Sequence, residues 1–417
     1  MLFFYHLLMF VLSLSIRVAS LWSVKARRWI QGRKNIFEKM EYEIDASKGP
    51  IIWMHCASLG EFEQGRPILE ALRKENPHCR ILLTFFSPSG YEVRKNTSLA
   101  DWVFYLPLDG RRNANRFLDI VQPRMVIFVK YESWFHYLYA LKKRGIPSLL
   151  ISAFFRKEQN FFGVMGGLLR QMLDLYDMIF VQDKISLELL KKYNIKTSFV
   201  IAGDTRFDRV LELSGMDFHH NGIEKFIYGY NSIVAGSTWK EDEELLQTLH
   251  QKNPTLKMII APHEIHEKHL KELKILFPDS ILMSDIEKGK EIGDEKILVI
   301  DCFGMLSKLY RFGTICYVGG GFNKAGIHNV LEAAAYGKVV CFGPNYRRTA
   351  EAGMLIASQA GFSVSNADQL ISITDKMIKE PESRIRAERV ALDFISASKG
   401  ATKMIMEHVS QKLNSFH

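Results

Sequence analysis

From residue 51 onward, short β-rich runs alternate with longer stretches of helical period, and this alternation restricts the fold more than any other feature of the chain. The strand candidates are 51–56, 80–85, 102–106, 125–129, 148–152, 178–182 and 198–201. Amphipathic stretches such as 134–144 and 185–193 lie between them. Strand–helix–strand alternation predicts a mostly parallel sheet with helices on both faces. A polar, glycine-containing break follows, "LSGMDFHHNGIEKFIYGYN", and then the alternation restarts at 232–236, 257–261, 296–300, 314–319 and 339–342. The tail from 367 onward reads as helices, including 404–413.

A length of 417 residues, 47% of them hydrophobic, suits two such units, each with its own core. The expected division is an N-terminal anchor over 1–24, a first Rossmann-like domain over 25–210, a linker over 211–230, and a second Rossmann-like domain over 231–417 that includes the C-terminal helices. The simplest α/β architecture places the two domains about a central cleft. Open sheets of this kind bind ligands at the C-terminal ends of their strands. Helix N-termini there offer free N–H groups and a positive dipole end to phosphate.

The net charge of +9 fits nucleic acid, an anionic membrane surface or an anionic substrate. No helix-turn-helix, zinc finger or RNP-like segment is present, so nucleic acid is the weakest of the three. The five cysteines are odd in number and none is spaced C-x-x-C, which leaves a disulfide framework or a zinc site unsupported. The chain begins "MLFFYHLLMFVLSLSI", and the basic residues Lys25, Arg27, Arg28, Arg33 and Lys34 follow. A secretory signal carries its charges before the apolar run, not after it. The arrangement therefore reads as an uncleaved anchor, either a short span or an interfacial helix with a polybasic collar, and the body lies on the cytoplasmic side.

Three strand-end turns carry chemistry. In "HCASLGEFEQGRPILEAL" the carboxylate of Glu61 stands directly after a glycine at a strand-to-helix turn. In "VAGSTWKEDEELL" Gly236, Ser237 and Thr238 lead into an acid-rich helix, the signature of an N-cap and a setting for phosphate contact. In "CYVGGGFNKAGIHNVLEAAAYGKVVCFGP" the glycines 319–321 let backbone approach a ligand closely, and Asn329 and Glu332, three apart, share a helical face where a carboxylate could accept ribose hydroxyls. The run is not G-x-G-x-x-G, so a nicotinamide fingerprint is absent. The histidines of "IIAPHEIHEKHL", His263, His266 and His269, read as a polar strand-end loop instead of a metal site.

Four stretches taken in order, "ASLGEFEQGRPIL", "VKYESWFHYLYALKKRGIPSLLISA", "VAGSTWKEDEELL" and "GGGFNKAGIHNVLEAAAYGKVVCFGPNY", behind an N-terminal anchor, resemble the 3-deoxy-D-manno-octulosonic acid (Kdo) transferases of lipopolysaccharide assembly. The resemblance runs from about residue 25 to 410. It implies a GT-B glycosyltransferase at the inner membrane that moves Kdo from CMP-Kdo to the lipid A precursor with inversion, without metal or other cofactor. Glu61 matches the family's general base. The resemblance assigns Ser237, Thr238, His263, Gly320, Gly321, Phe322 and Asn329 to the nucleotide sugar and Glu332 to its ribose. Glu132, in "KYESW", would shape the first-domain side of the cleft, and Arg206, in "GDTRFD", would meet a phosphate or carboxylate. The expected partners are CMP-Kdo, the lipid acceptor and an anionic membrane surface. The chain departs from the family pattern at Lys130, at His263–Glu267 and at Cys302–Leu306. Two other readings share the fold: a GT-B transferase using a UDP-sugar and a lipid-linked acceptor, and a membrane-anchored binding protein without turnover.

Overall fold

The computed structural model describes residues 2–157, 159 and 166–414. The chain divides into two compact units, Met1–Asp208 with Lys399–His417, and Arg209–Ser398. The first holds seven parallel strands: β1 (Ile51–Cys56), β2 (Arg80–Phe85), β3 (Trp102–Tyr105), β4 (Met125–Val129), β5 (Ser148–Ala153), β6 (Met178–Val181) and β7 (Ser198–Ile201). Their order across the sheet is β3-β2-β1-β4-β5-β6-β7. Every residue of β1 is buried, because successive side chains enter two different cores. Ile51 and Trp53 pack with Leu82, Val126 and Phe128 on one face. Ile52, Met54 and Cys56 pack with Ile81, Leu83 and Ile127 on the other.

The helix Leu59–Glu75 lies close over that second face. Gly65 makes the approach possible, since a Cβ there would meet Met54 Sδ and Val129 Cγ2, each at 3.0 Å.

The tail corrects the expected domain division. The helix Ala401–Asn414 belongs to the first unit, and Ile405, Met406, Val409 and Leu413 complete the core around Leu69, Leu72 and Phe180. Asp208 holds its start, accepting the backbone N–H of Gly400 and of Thr402, each at 2.6 Å. Helical period identifies an apolar face but not the core that face meets.

The second unit repeats the parallel architecture with β8 (Ser232–Thr238), β9 (Lys257–Pro262), β10 (Ser280–Leu282), β11 (Ile297–Val299), β12 (Ile315–Val318), β13 (Val339–Phe342) and β14 (Gly361–Ser363). The order is β10-β11-β9-β8-β12-β13-β14. The expected linker 211–230 is also structured. It contains the helix Asn221–Ile227, whose Ile223 and Phe226 are buried, and Arg311 donates to the carbonyls of Met216 and Phe218.

The N-terminal helix Leu2–Ala19 has the length and apolar composition of a membrane segment. It is nevertheless docked on the first unit. Tyr5 is buried, and its hydroxyl donates to Asp109. Asp109 also accepts the backbone N–H groups of His136 and Tyr137, at 3.0 and 3.2 Å. His6 stacks on His136 at 5.0 Å, and Met9 packs against the core of that unit. At the other end Arg27 donates to the carbonyls of Ser20 and Leu21. Phe3, Phe4, Leu7, Leu8, Phe10, Val11, Leu14 and Val18 remain exposed.

Candidate active site

In the first sheet the strand order reverses between β1 and β4, and the turns after these two strands carry the carboxylates singled out in the sequence. Glu61 lies in the first turn of the helix Leu59–Glu75, half-buried, and the Ser58 hydroxyl donates to its Oε2. Ser58 is the N-cap residue by position, yet its side chain holds Glu61 instead of a backbone N–H. One carboxylate oxygen is thus fixed by a neutral donor.

Glu132, in the turn after β4, is 4% exposed. Trp134 Nε1 donates to its Oε2, His55 Nε2 lies 3.4 Å from the same oxygen, and the Tyr176 hydroxyl donates to its backbone carbonyl at 2.6 Å. His55 is itself tied back into the sheet. Its Nδ1 is 2.8 Å from Thr84 Oγ1, which accepts Trp53 Nε1 at 2.7 Å. Burial, with the carboxylates Glu132 and Glu61 behind it, raises the Cys56 thiol well above its usual range, so this cysteine is inert packing. Lys130 opens the same turn in the left-handed region, at φ 75°. Arg206 is the second residue of the helix Thr205–Gly215. Thr205 donates to the Gln64 carbonyl, and Asp204 grips the Arg206 guanidinium, with Nη2 2.6 Å from Oδ2.

In the second sheet the reversal falls between β8 and β12. Asp242, unremarked in the sequence except as one helix acid, joins the two turns there. Its carboxylate accepts Trp239 N–H and Gly320 N–H, each at 2.9 Å, and the Tyr317 hydroxyl at 2.7 Å. Burial pushes this carboxyl upward and the three donors oppose that push. The Gly320 N–H is therefore already engaged and is not a free anion donor.

Thr238 is fully buried and its hydroxyl donates to Glu243 at 2.9 Å, so it supports the turn from within. Ser237 sits beside it at φ 54°. Gly320 adopts φ 94°, and at Gly321 a Cβ would meet the Gly343 backbone at 2.5 Å, so both glycines are required by geometry. Phe322 packs into the core of the unit and anchors the loop. Asn329 caps a short helix, Leu331–Ala334. Its Oδ1 accepts Leu331 N–H at 3.2 Å and its amide donates to Glu332 Oε1 at 3.1 Å.

Three rings meet above these turns. Trp239 Nε1 donates to His328 Nε2 at 3.2 Å. His263 stacks on Trp239 at 4.6 Å and on His328 at 4.5 Å, both at 28°. The direct Trp239–His328 bond leaves no room for a ring between them, so both lie against one face of His263, which is itself exposed. Burial and the neighbouring His263 lower His328 to about 4. It is neutral at pH 7 and accepts at Nε2, so its proton sits on Nδ1. Neither Trp239 nor His328 was singled out in the sequence, although both stand inside the quoted motifs.

Among the described residues no group of three or more His, Cys, Asp or Glu side chains converges on a metal-sized site.

Comparison with known proteins finds the following likenesses. The family model for 3-deoxy-D-manno-octulosonic-acid transferase (kdotransferase) matches residues 32–209. The 3-deoxy-D-manno-octulosonic acid transferase of Aquifex aeolicus (strain VF5) is 29% identical over 332 residues, 77% of this chain and 84% of that protein. The protein of the same name from Haemophilus influenzae is 28% identical over 97% of each chain. Among solved structures, the UDP-GlcNAc 2-epimerase from Neisseria meningitidis bound to UDP-GlcNAc has a TM-score of 0.59 at 17% identity, covering 87% of this chain and 100% of that one. That last likeness is one of fold alone.

Proposed function

We infer that the chain belongs to the Kdo transferase family and is a GT-B glycosyltransferase that moves Kdo from CMP-Kdo to the lipid A precursor. The observation that carries the residue assignment is the Glu61 carboxylate, held by Ser58 at the switch point of the first sheet. A sugar hydroxyl is a poor nucleophile until its proton has an acceptor. Glu61 takes that proton as the oxygen bonds to the anomeric carbon of Kdo. The bond from that carbon to the phosphate oxygen breaks, and CMP leaves with the electron pair. Glu132, held by the Trp134 indole N–H with His55 beside it, orients the acceptor sugar through a hydrogen bond.

The second unit takes the nucleotide. Ser237 and the turns clamped by Asp242 receive the phosphate, Glu332 receives the ribose, and the open face of His263 supports the base. Arg206, fixed by Asp204, supplies positive charge beside the helix of Glu61.

The N-terminal helix lies along the membrane surface in this reading. Tyr5 near one end is bonded to Asp109, and Ile16 and Ala19 toward the other line a groove together with Phe86 and Pro88, so the helix lies lengthwise on the first unit, with exposed apolar side chains along it and the collar of Lys25, Arg27 and Arg28 close behind. The body stays on the cytoplasmic side of the inner membrane.

The test is a product assay with CMP-Kdo and the lipid A precursor, read by mass. A product heavier by one or more Kdo units is the expected result; no mass change, together with turnover of a UDP-sugar, would overturn the reading.

A further inference from the structure

Beside the Glu61 turn lies a cavity of ≈ 440 Å³ that this assignment does not use. Its walls are Ile16 and Ala19 from the N-terminal helix, Ala26 and Trp29 from the helix Val24–Gln31, and Phe86 and Pro88 from the turn after β2. The volume falls in the ~300–1,000 Å³ range of small-molecule sites. The lining is mostly apolar; Lys25 is its charged member among the described residues.

Two contacts connect this groove to the catalytic turns. Ser87 N–H donates to the Ala57 carbonyl at 2.7 Å, and Ala57 precedes the Ser58 that holds Glu61. The Phe86 ring meets Trp29 of the groove at 5.7 Å and, at 4.9 Å, Trp134, the residue bonded to Glu132. The floor of the groove and the wall of the sugar site are therefore the same short segment. The floor is also rigid. Arg33 lies 3.8 Å from the Trp29 ring centroid, and its guanidinium donates to the carbonyls of Phe86 and Leu106, at 2.9 Å each. On the other side the groove is bounded by the helix whose outer surface is a row of exposed Phe and Leu side chains.

We propose that this groove seats one acyl chain of the acceptor glycolipid while Glu61 acts on its sugar. The proposal rests on the Kdo transferase reading and adds the part of the substrate that this reading leaves unplaced. An apolar groove contiguous with a membrane-facing helix at one side and with the general base at the other fits a molecule that is hydrocarbon at one end and sugar at the other. Lys25 meets an anionic head group at the boundary. A bulk phospholipid would fill the hydrocarbon part but has no sugar to present to Glu61, so the groove is assigned to the acceptor.

The small residues Ala19 and Ala26 offer the test. Ala19→Trp and Ala26→Trp fill the groove without touching Glu61 or Glu132. With the acceptor dispersed in detergent, each should lower the ratio of kcat/KM for the acylated acceptor to that for the fully deacylated disaccharide by at least fivefold. Wild-type ratios in both folded variants, or equal losses on both acceptors, would overturn the proposal. A second measurement works without turnover: an acceptor analogue with a diazirine on an acyl chain, irradiated with the wild-type protein, should label peptides containing residues 15–29 and 86–88. Labelling there with no Kdo transfer would sustain the groove and reject the reaction; transfer without labelling would do the reverse. Equal labelling by a diazirine phospholipid in vesicles, undiminished by excess acceptor, would reject the acceptor as occupant.

Discussion

At the residue scale the proposed chemistry rests on how two carboxylates, Glu61 and Glu132, are held. Glu61→Gln preserves shape and the Ser58 contact but removes the proton acceptor. It should abolish nearly all transfer, by about 10²–10⁴-fold as for loss of a general base, while CMP affinity stays within twofold by calorimetry; near-normal turnover would reduce Glu61 to a turn residue. On the nucleotide side, His263→Ala removes the ring whose outer face is open. Stacking of a base on an aromatic ring is worth about 1–3 kcal/mol, so CMP binding should weaken by roughly tenfold, while the Trp239–His328 bond remains and the fold is unaffected. Glu61 stands out in the sequence because it follows a strand-like run, Asn329 and Glu332 because they lie three apart near a helix start, and Glu132 through the family resemblance. Asp242 and His328 do not. One looked like an ordinary helix-capping acid and the other like a residue between two glycine-rich stretches. Their roles arise from contacts across 78 and 89 positions of chain, between Asp242 and Gly320 and between Trp239 and His328. No local pattern records such contacts.

At the scale of elements, the N-terminal helix, read in the sequence as an anchor, is docked on the first unit through Tyr5 and in the proposed reading also meets the membrane. Its exposed Phe3, Phe4 and Phe10 are free to enter lipid, while Tyr5 is spent on Asp109. Deleting the helix would therefore leave Asp109 with one donor fewer in a buried place, and any loss of activity would mix folding with membrane binding. Replacing Phe3, Phe4 and Phe10 by Ser is the cleaner change. It should reduce sedimentation with anionic vesicles and slow transfer to bilayer-embedded acceptor, and leave the melting temperature within about 2 °C. Equal losses in bilayer and detergent would reject the interfacial role.

Asp109 adds a pH signature. Burial raises it to about 6 despite its three donors. A carboxyl raised in the folded state favours folding most below its ordinary pKa, and that contribution is lost as pH rises through 6. It amounts to about 3 kcal/mol at most. Asp109→Asn should thus remove stability lost between pH 4 and pH 6.5 in wild type, seen as a flatter melting temperature against pH; parallel curves would contradict the assignment. Among the strands, those of 4–7 residues were readable as apolar runs. β11, three residues inside the sheet, was readable within the apolar run 296–300, whereas β10 and β14, three residues each at the sheet edges, stand in no such run and were not.

At the scale of the whole molecule, the proposed assignment puts the donor and acceptor sides in different units, so ligand effects should separate. CMP should raise the melting temperature by stabilising the second unit, and UDP should do less. Equal shifts would favour a transferase of UDP-sugars. The sequence indicated two parallel-sheet units but placed the final helix in the wrong one. That error has a biosynthetic meaning. Leu69, Leu72 and Phe180 are translated early, yet the helix that covers them, Ala401–Asn414, is made only after the whole second unit. The ribosome must first make all of Arg209–Ser398, roughly 10–40 s at ~5–20 residues per second. Throughout that interval the nascent first unit carries an uncovered apolar strip while its N-terminal helix is already available to lipid. A chain stalled near residue 398 should remain chaperone-bound, and emergence of Ala401–Asn414 from the exit tunnel is the event that closes the first core.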